Sequence, residues 1–182
     1  MAKPVLYYCP RTRAETAMWM SEELGGVCDI KIVNLKTGDH KKPEFLKINP
    51  MGKVPALTHD GVTVTESAAI CVYLADAFAD KGFAPALNDP KRGAYYRWTF
   101  YAPSCIEPMM LDKLGGVKRE NSMAAGYGSE EDVLKSLDVA LSAAAAAVPA
   151  AAIVADCGLT GGVGGSSRRA SRMMRRGSYW RG

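Results

Sequence analysis

Histidine is scarce in this chain, and long apolar runs are missing. Only His40 and His59 occur in 182 residues, so a metal site built on several histidines has little to draw on. No apolar run approaches the roughly 20 residues that cross a bilayer, and Met1-Ala2-Lys3-Pro4 lacks the apolar core of a signal peptide. The five cysteines (Cys9, Cys28, Cys71, Cys105 and Cys157) are an odd number without a C-x-x-C pair. That argues against a disulfide scaffold or a zinc ribbon. No acidic residue follows Asp156, whereas six arginines do. Without them the chain holds 17 basic and 19 acidic residues, so its formal net charge of +4 belongs to a tail. A near-neutral body is not the footprint of a nucleic-acid binder. What remains is the expectation of a globular protein in a reducing cytoplasm, with no membrane span and no metal.

The patterns that are present begin with Pro4-Val5-Leu6-Tyr7-Tyr8, an apolar run of the kind that makes a buried strand. From Thr12 the apolar spacing turns helical and stops at Gly25-Gly26. A second strand is predicted over 27–33, and Pro43 opens a short helix reaching Ile48, since its missing N–H is no loss at that position. Asn49-Pro50-Met51-Gly52 is a turn before a strand over 54–58. Asp60-Gly61 between two β-prone runs predicts a hairpin. Ser67 is predicted to cap a helix running to Phe78, with Ile70, Leu74 and Phe78 on one face. The first 80 residues thus spell β-α-β-α-β-β-α. A linker is expected over 81–90, and an all-helical part over 91–148. In it, a helix over 91–114 bends near Pro103 or Pro108, and one over 130–148 carries apolar Val133, Leu134, Leu137 and Leu141.

Three motifs carry chemistry in this frame: Cys9-Pro10-x-Thr12-Arg13, Asn49-Pro50-x-Gly52-Lys53-Val54-Pro55, and Thr65-Glu66-Ser67-x-Ala69-Ile70. In this order and spacing, over about residues 4–142, they resemble the soluble glutathione transferases of bacterial or theta-like type. The resemblance implies a thioredoxin-like domain over 1–80 and a helical domain after the linker. It implies a cis Val54–Pro55 bond whose backbone pairs with the cysteinyl part of glutathione like an added strand. It further implies Ser67 on the γ-glutamyl carboxylate, at a helix start that favours anions, and Glu66 beside the ammonium. His40, Lys41 and Lys53 match positions that meet the glycyl carboxylate.

Glutathione reacts as thiolate, and a thiol of ordinary pKa near 8.5 needs donors to favour the anion. Tyr8, Cys9, Thr12 and the backbone N–H groups at the first helix are the candidates. Cys9 stands where the family often has serine, so three fates are open for it: a small buried thiol, a stabiliser of a conjugating thiolate, or the nucleophile of a one-cysteine thiol exchange. Arg97, Trp98 and Tyr101 are candidates for a pocket that takes a small hydrophobic electrophile. The expected activity is conjugation of glutathione to such electrophiles by a homodimer. Glutathione-dependent thiol-disulfide exchange at Cys9 and a non-catalytic binding or dimerisation module are the alternatives.

The C-terminal stretch departs from the family. Ala, Gly and Arg supply 23 of the last 40 residues, and no Ser/Thr-x-x-Asp box appears near Cys157-Gly158-Leu159-Thr160. A poorly ordered tail over 149–182 is expected, from a truncation or a shift of reading frame after about residue 142. An arginine-rich tail that meets an acidic partner is the other reading.

Overall fold

The computed structural model describes residues 2–119 and 122–147. Four strands, β1 (Val5–Tyr8), β2 (Asp29–Ile32), β3 (Ala56–His59) and β4 (Val62–Thr65), form one sheet in the order β2-β1-β3-β4. β1 is parallel to β2 and antiparallel to β3, which makes a hairpin with β4. α1 (Ala14–Glu23) lies between β1 and β2, the single turn α2 (Pro43–Leu46) between β2 and β3, and α3 (Ser67–Ala77) follows β4. This is the thioredoxin-like arrangement that the resemblance implied.

The run of β1 needs no polar alternation because both of its faces are covered. Leu6 and Tyr8 pack with Ala14, Ala17 and Met18 of α1 and with Leu57, Ile70 and Leu74. Tyr7 points the other way, to Val33, Phe45 and Ala56. At the hairpin, Asp60 (φ 45°) and Gly61 (φ 80°) are both left-handed, as a primed two-residue turn requires.

The structure corrects several boundaries. β2 starts at Asp29, because the N–H groups of Gly26 and Val27 bond the Ser21 carbonyl and that of Cys28 bonds the Ser21 hydroxyl. Those donors finish α1 and are lost to the ladder. β3 starts at Ala56, since Pro55 has no N–H to give. Ser67 is not the cap of α3 but its first residue. Glu66 holds the cap position at φ 68°, ψ 125°, and the Ser67 hydroxyl donates to the Arg13 carbonyl at 3.2 Å.

Beyond α3, the predicted single bent helix is three pieces: α4 (Arg92–Tyr101), a π-helical stretch (Ala102–Ile106) and α5 (Glu107–Leu114). Pro103 lies at the start of the wide turn, where its missing N–H breaks the helical ladder, while Pro108 sits harmlessly in the first turn of α5. α6 (Glu130–Ala147) opens with a reciprocal box: the Asp132 N–H donates to the Ser129 hydroxyl at 3.1 Å, and the Ser129 N–H donates to the Asp132 carboxylate at 3.3 Å. Of its predicted apolar face only Val133 is fully buried, whereas Leu134 and Leu141 are exposed. The expectations for residues 149–182 lie outside the described residues.

Arg92 ties the two parts. It is 5% exposed, donates to the Asp76 carboxylate and, at 2.6 Å, to the Pro85 carbonyl, and lies over Tyr95 and Tyr96. Burial pushes the Tyr95 phenol up to about 12, helped by the Asp76 charge, and burial followed by the Glu15 contact holds Tyr8 higher still. An unfolded tyrosine titrates near 10. The folded state therefore favours the protonated phenols, and their contribution is complete below about pH 10 and lost as pH rises through the folded values. Stability should fall above about pH 10, with Tyr95 and Tyr8 ionising above the range of a free tyrosine in a near-ultraviolet titration. Titration of all tyrosines near 10 in the folded protein contradicts this.

Candidate functional site

Two sheet registers bring the motifs together. Ala56 stands opposite Tyr7 on one side and Thr65 on the other. Cys9 follows the end of β1, Val54 precedes β3 by two residues and Ser67 follows β4 by two, so all three lie at the same end of the sheet. The Val54–Pro55 peptide is cis. Among the described residues no hydrogen bond is made to the Val54 N–H or C=O, which leaves both groups for a partner laid along this margin.

The loop before Val54 is held from inside. Asn49, 3% exposed, accepts the Met51 N–H at 3.1 Å and donates to the Lys53 carbonyl at 2.8 Å. Gly52, at φ 63°, donates its N–H to the Asn49 carbonyl and lies against the His40 carbonyl. The Lys41 ammonium donates to the Met51 carbonyl at 3.1 Å. So Lys41 serves first as a tie between two loops. His40 Nδ1 is buried without a hydrogen-bond partner among the described residues. Lys53 and Glu66 are exposed.

The loop from β1 to α1 is pinned in the same manner. The Tyr8 hydroxyl donates to Glu15 Oε1 at 2.9 Å, and the same oxygen accepts the Arg11 N–H at 2.8 Å. The Thr12 hydroxyl donates to the Cys9 carbonyl at 2.7 Å and accepts the Ala14 N–H at 3.1 Å. Both hydroxyl protons proposed for a sulfur anion are thus committed to other acceptors. The Cys9 thiol is half-buried and, among the described residues, makes no such bond.

Ser67 joins α3 to this loop through the Arg13 carbonyl, and the Arg13 guanidinium pairs with Glu107 of α5. The electrophile candidates all lie on α4. Arg97 lies over Trp98 at 4.6 Å, Trp98 meets Tyr101 edge-on, and the Tyr101 hydroxyl donates to the Val133 carbonyl at 3.2 Å. Among the described residues no hydrogen bond or ion pair links these three to Cys9, Val54 or Ser67. Sequence reasoning missed Glu15, Asn49 and Arg13 as organisers. Asn49 had a signal, since an Asn two residues before a bonded N–H is the mark of an Asx turn; Glu15 had none.

Residues 3–76 match the family model described as the glutathione S-transferase N-terminal domain. This segment resembles the N-terminal domain of the glutathione S-transferases. A glutathione S-transferase of Hyoscyamus muticus is 47% identical over 62 residues, 34% of this chain and 29% of that protein. Glutathione S-transferase 1 of Dianthus caryophyllus is 31% identical over 119 residues, 59% of this chain and 53% of that protein. The chain therefore spans about half or less of the curated relatives it matches. A glutathione transferase structure from Methylococcus capsulatus superposes with a TM-score of 0.60 at 27% identity, covering 77% of this chain and 70% of the other. Glutathione is the co-substrate of the glutathione S-transferases. The open Val54 backbone, the unpartnered His40 nitrogen and the helix start at Ser67 suit a peptide with an acid group at each end.

Proposed function

We propose that this protein conjugates the thiolate of glutathione to small hydrophobic electrophiles. The meeting of Cys9, the open Val54 backbone and the start of α3 at one end of the sheet supports the reading. A tripeptide paired with Val54 brings its sulfur to the start of α1 and its γ-glutamyl carboxylate to the start of α3. Glu66 would stand by the ammonium, His40 and Lys53 by the glycyl carboxylate, and Arg97, Trp98 and Tyr101 on the electrophile side. With the Tyr8 and Thr12 hydroxyls engaged, the thiolate takes its donors from backbone N–H groups of the Cys9–Arg13 loop and from the Cys9 thiol. Residues 1–80 form the glutathione-binding unit, 81–90 the linker and 91–148 the helical part, in a cytoplasmic homodimer.

That same freedom of Cys9 favours a second reading, thiol exchange. The Cys9 thiolate attacks a mixed disulfide of glutathione, expels the other thiol, and is freed by a second glutathione as glutathione disulfide.

The test is titration of the purified chain with glutathione, alongside Ser67→Ala and Cys9→Ser. Binding turns the Ser67 hydroxyl from the Arg13 carbonyl to the carboxylate, and a hydrogen bond to a carboxylate contributes about 1.5–3 kcal/mol, so Ser67→Ala should weaken binding by up to about a hundredfold. Cys9→Ser should abolish exchange and leave conjugation measurable. Unchanged glutathione affinity in Ser67→Ala defeats both readings.

A further inference from the structure

Glu15 is a polar side chain at this end of the sheet for which neither reading has a use. Its Oε1 joins two separate parts of the chain, the Tyr8 hydroxyl at the end of β1 and the Arg11 N–H in the middle of the loop. Glu15 itself is fixed in the first turn of α1, where its N–H donates to the Thr12 carbonyl at 3.1 Å. Arg11 sits at φ 58°, a left-handed conformation that strains a side-chain-bearing residue. The bond to Glu15 holds its N–H in that conformation. With the Thr12 hydroxyl bridging the Cys9 carbonyl and the Ala14 N–H, residues 9–13 are tied at both ends. The ordinary role for an acid in a first helical turn is interaction with the helix dipole. That role asks for neither the Tyr8 bond nor the Arg11 bond.

We propose that Glu15 is a positioning residue of the site, whose carboxylate sets the shape of the Cys9–Thr12 loop and so places the Cys9 thiol and the loop N–H groups against the glutathione sulfur. The proposal rests on the glutathione reading for its catalytic consequence, but its structural half stands on Cys9 alone. Glu15 acts through the loop and touches no reacting atom. A second consequence follows for Tyr8, which is kept out of the chemistry because its proton is spent on Glu15.

The test uses the full chain and the variants Glu15→Ala, Glu15→Gln and Tyr8→Phe. Removing the carboxylate should lower kcat for the glutathione reaction about tenfold or more, as displaced reacting groups do, while the glutathione Kd from calorimetry moves less than about threefold. In parallel, the rate of Cys9 alkylation by iodoacetamide against pH should change in Glu15→Ala, with the other cysteines replaced by serine or alanine in every protein compared. Glutamine keeps an acceptor for the Arg11 N–H and should restore most of both readouts. Tyr8→Phe, which leaves the Arg11 bond in place, should do less harm than Glu15→Ala. A Glu15→Ala protein with unchanged kcat and an unchanged alkylation profile overturns the proposal, as does a Glu15→Gln protein no better than Glu15→Ala. Should Glu15→Ala fail to fold, the ranking of Glu15→Gln against Tyr8→Phe decides: the proposal requires Glu15→Gln to keep the alkylation profile. Absence of glutathione binding by the unaltered chain defeats the functional reading instead, and the alkylation profile then judges Glu15 by itself.

Discussion

Replacing Gly52 with alanine should lower folding stability by about 3 kcal/mol and remove glutathione binding with it. Two costs add. At φ 63° an L-residue is strained, by about 1–2 kcal/mol. The new Cβ would also stand 2.7 Å from the His40 carbonyl oxygen and 2.8 Å from the Lys41 ammonium. The lysine can swing away, but the carbonyl belongs to the backbone of the 39–41 turn. Forcing a methyl into a packed place costs about 1–3 kcal/mol. The displacement strikes both loops that face the candidate glycyl carboxylate and disturbs the Asn49 bonds that set the approach to Val54. Gly61→Ala is the control, since it shares a positive φ of 80° and has nothing within 4 Å of its added Cβ. Urea unfolding of the two variants separates the steric cost from the conformational one. Equal losses would mean that the close approach at Gly52 carries no energy.

The legible parts of the chain are those where local chemistry and tertiary environment agree. Asp60-Gly61 makes its hairpin because both residue types tolerate the left-handed backbone that the turn needs. The aromatic run of β1 is buried on both faces, and a central strand has no other pattern. The motif from Asn49 to Pro55 ends on the cis bond that the resemblance implied. Other features depend on partners far away in sequence. Ser67 has the residue type of a cap, yet the Arg13 carbonyl lies within reach and takes its proton. Glu66 supplies the left-handed residue before α3, and nothing about a glutamate signals that conformation. Tyr8 and Thr12 were sound candidates by type, since a hydroxyl near a helix start suits an anion. Their protons go to Glu15 and to the Cys9 carbonyl instead, a choice made by loop geometry that spacing does not encode. The apolar spacing of α6 promised a broad buried face, but spacing gives only the side on which apolar residues lie. Val133 is covered, and Leu134 and Leu141 are not.

Ile70→Ala should remove about 2–5 kcal/mol of stability, the range for emptying a fully enclosed site in a packed core. Ile70 is 0% exposed and stands among Leu6, Ala17, Leu57 and Leu74, where sheet, α1 and α3 meet. All three surfaces belong to rigid elements, so the cavity has little room to collapse and the loss should fall in the upper part of that range. Position adds a functional consequence. The Ile70 N–H makes the first helical bond of α3, to the Glu66 carbonyl at 2.9 Å, so its side chain anchors the turn that begins with Ser67. Loosening that turn shifts Ser67 and the N–H groups of the helix start relative to Val54 and Cys9. Glutathione should therefore bind more weakly to Ile70→Ala under conditions where the protein is still folded. Leu141→Ala, at a half-exposed position on α6, should change stability by no more than about 0.5 kcal/mol and leave binding alone. Denaturant melts with calorimetric titration of both proteins check the pair. If Ile70→Ala loses stability yet binds glutathione at full strength, the roll of α3 does not position Ser67, and the helix start is held by its bond to Arg13 alone.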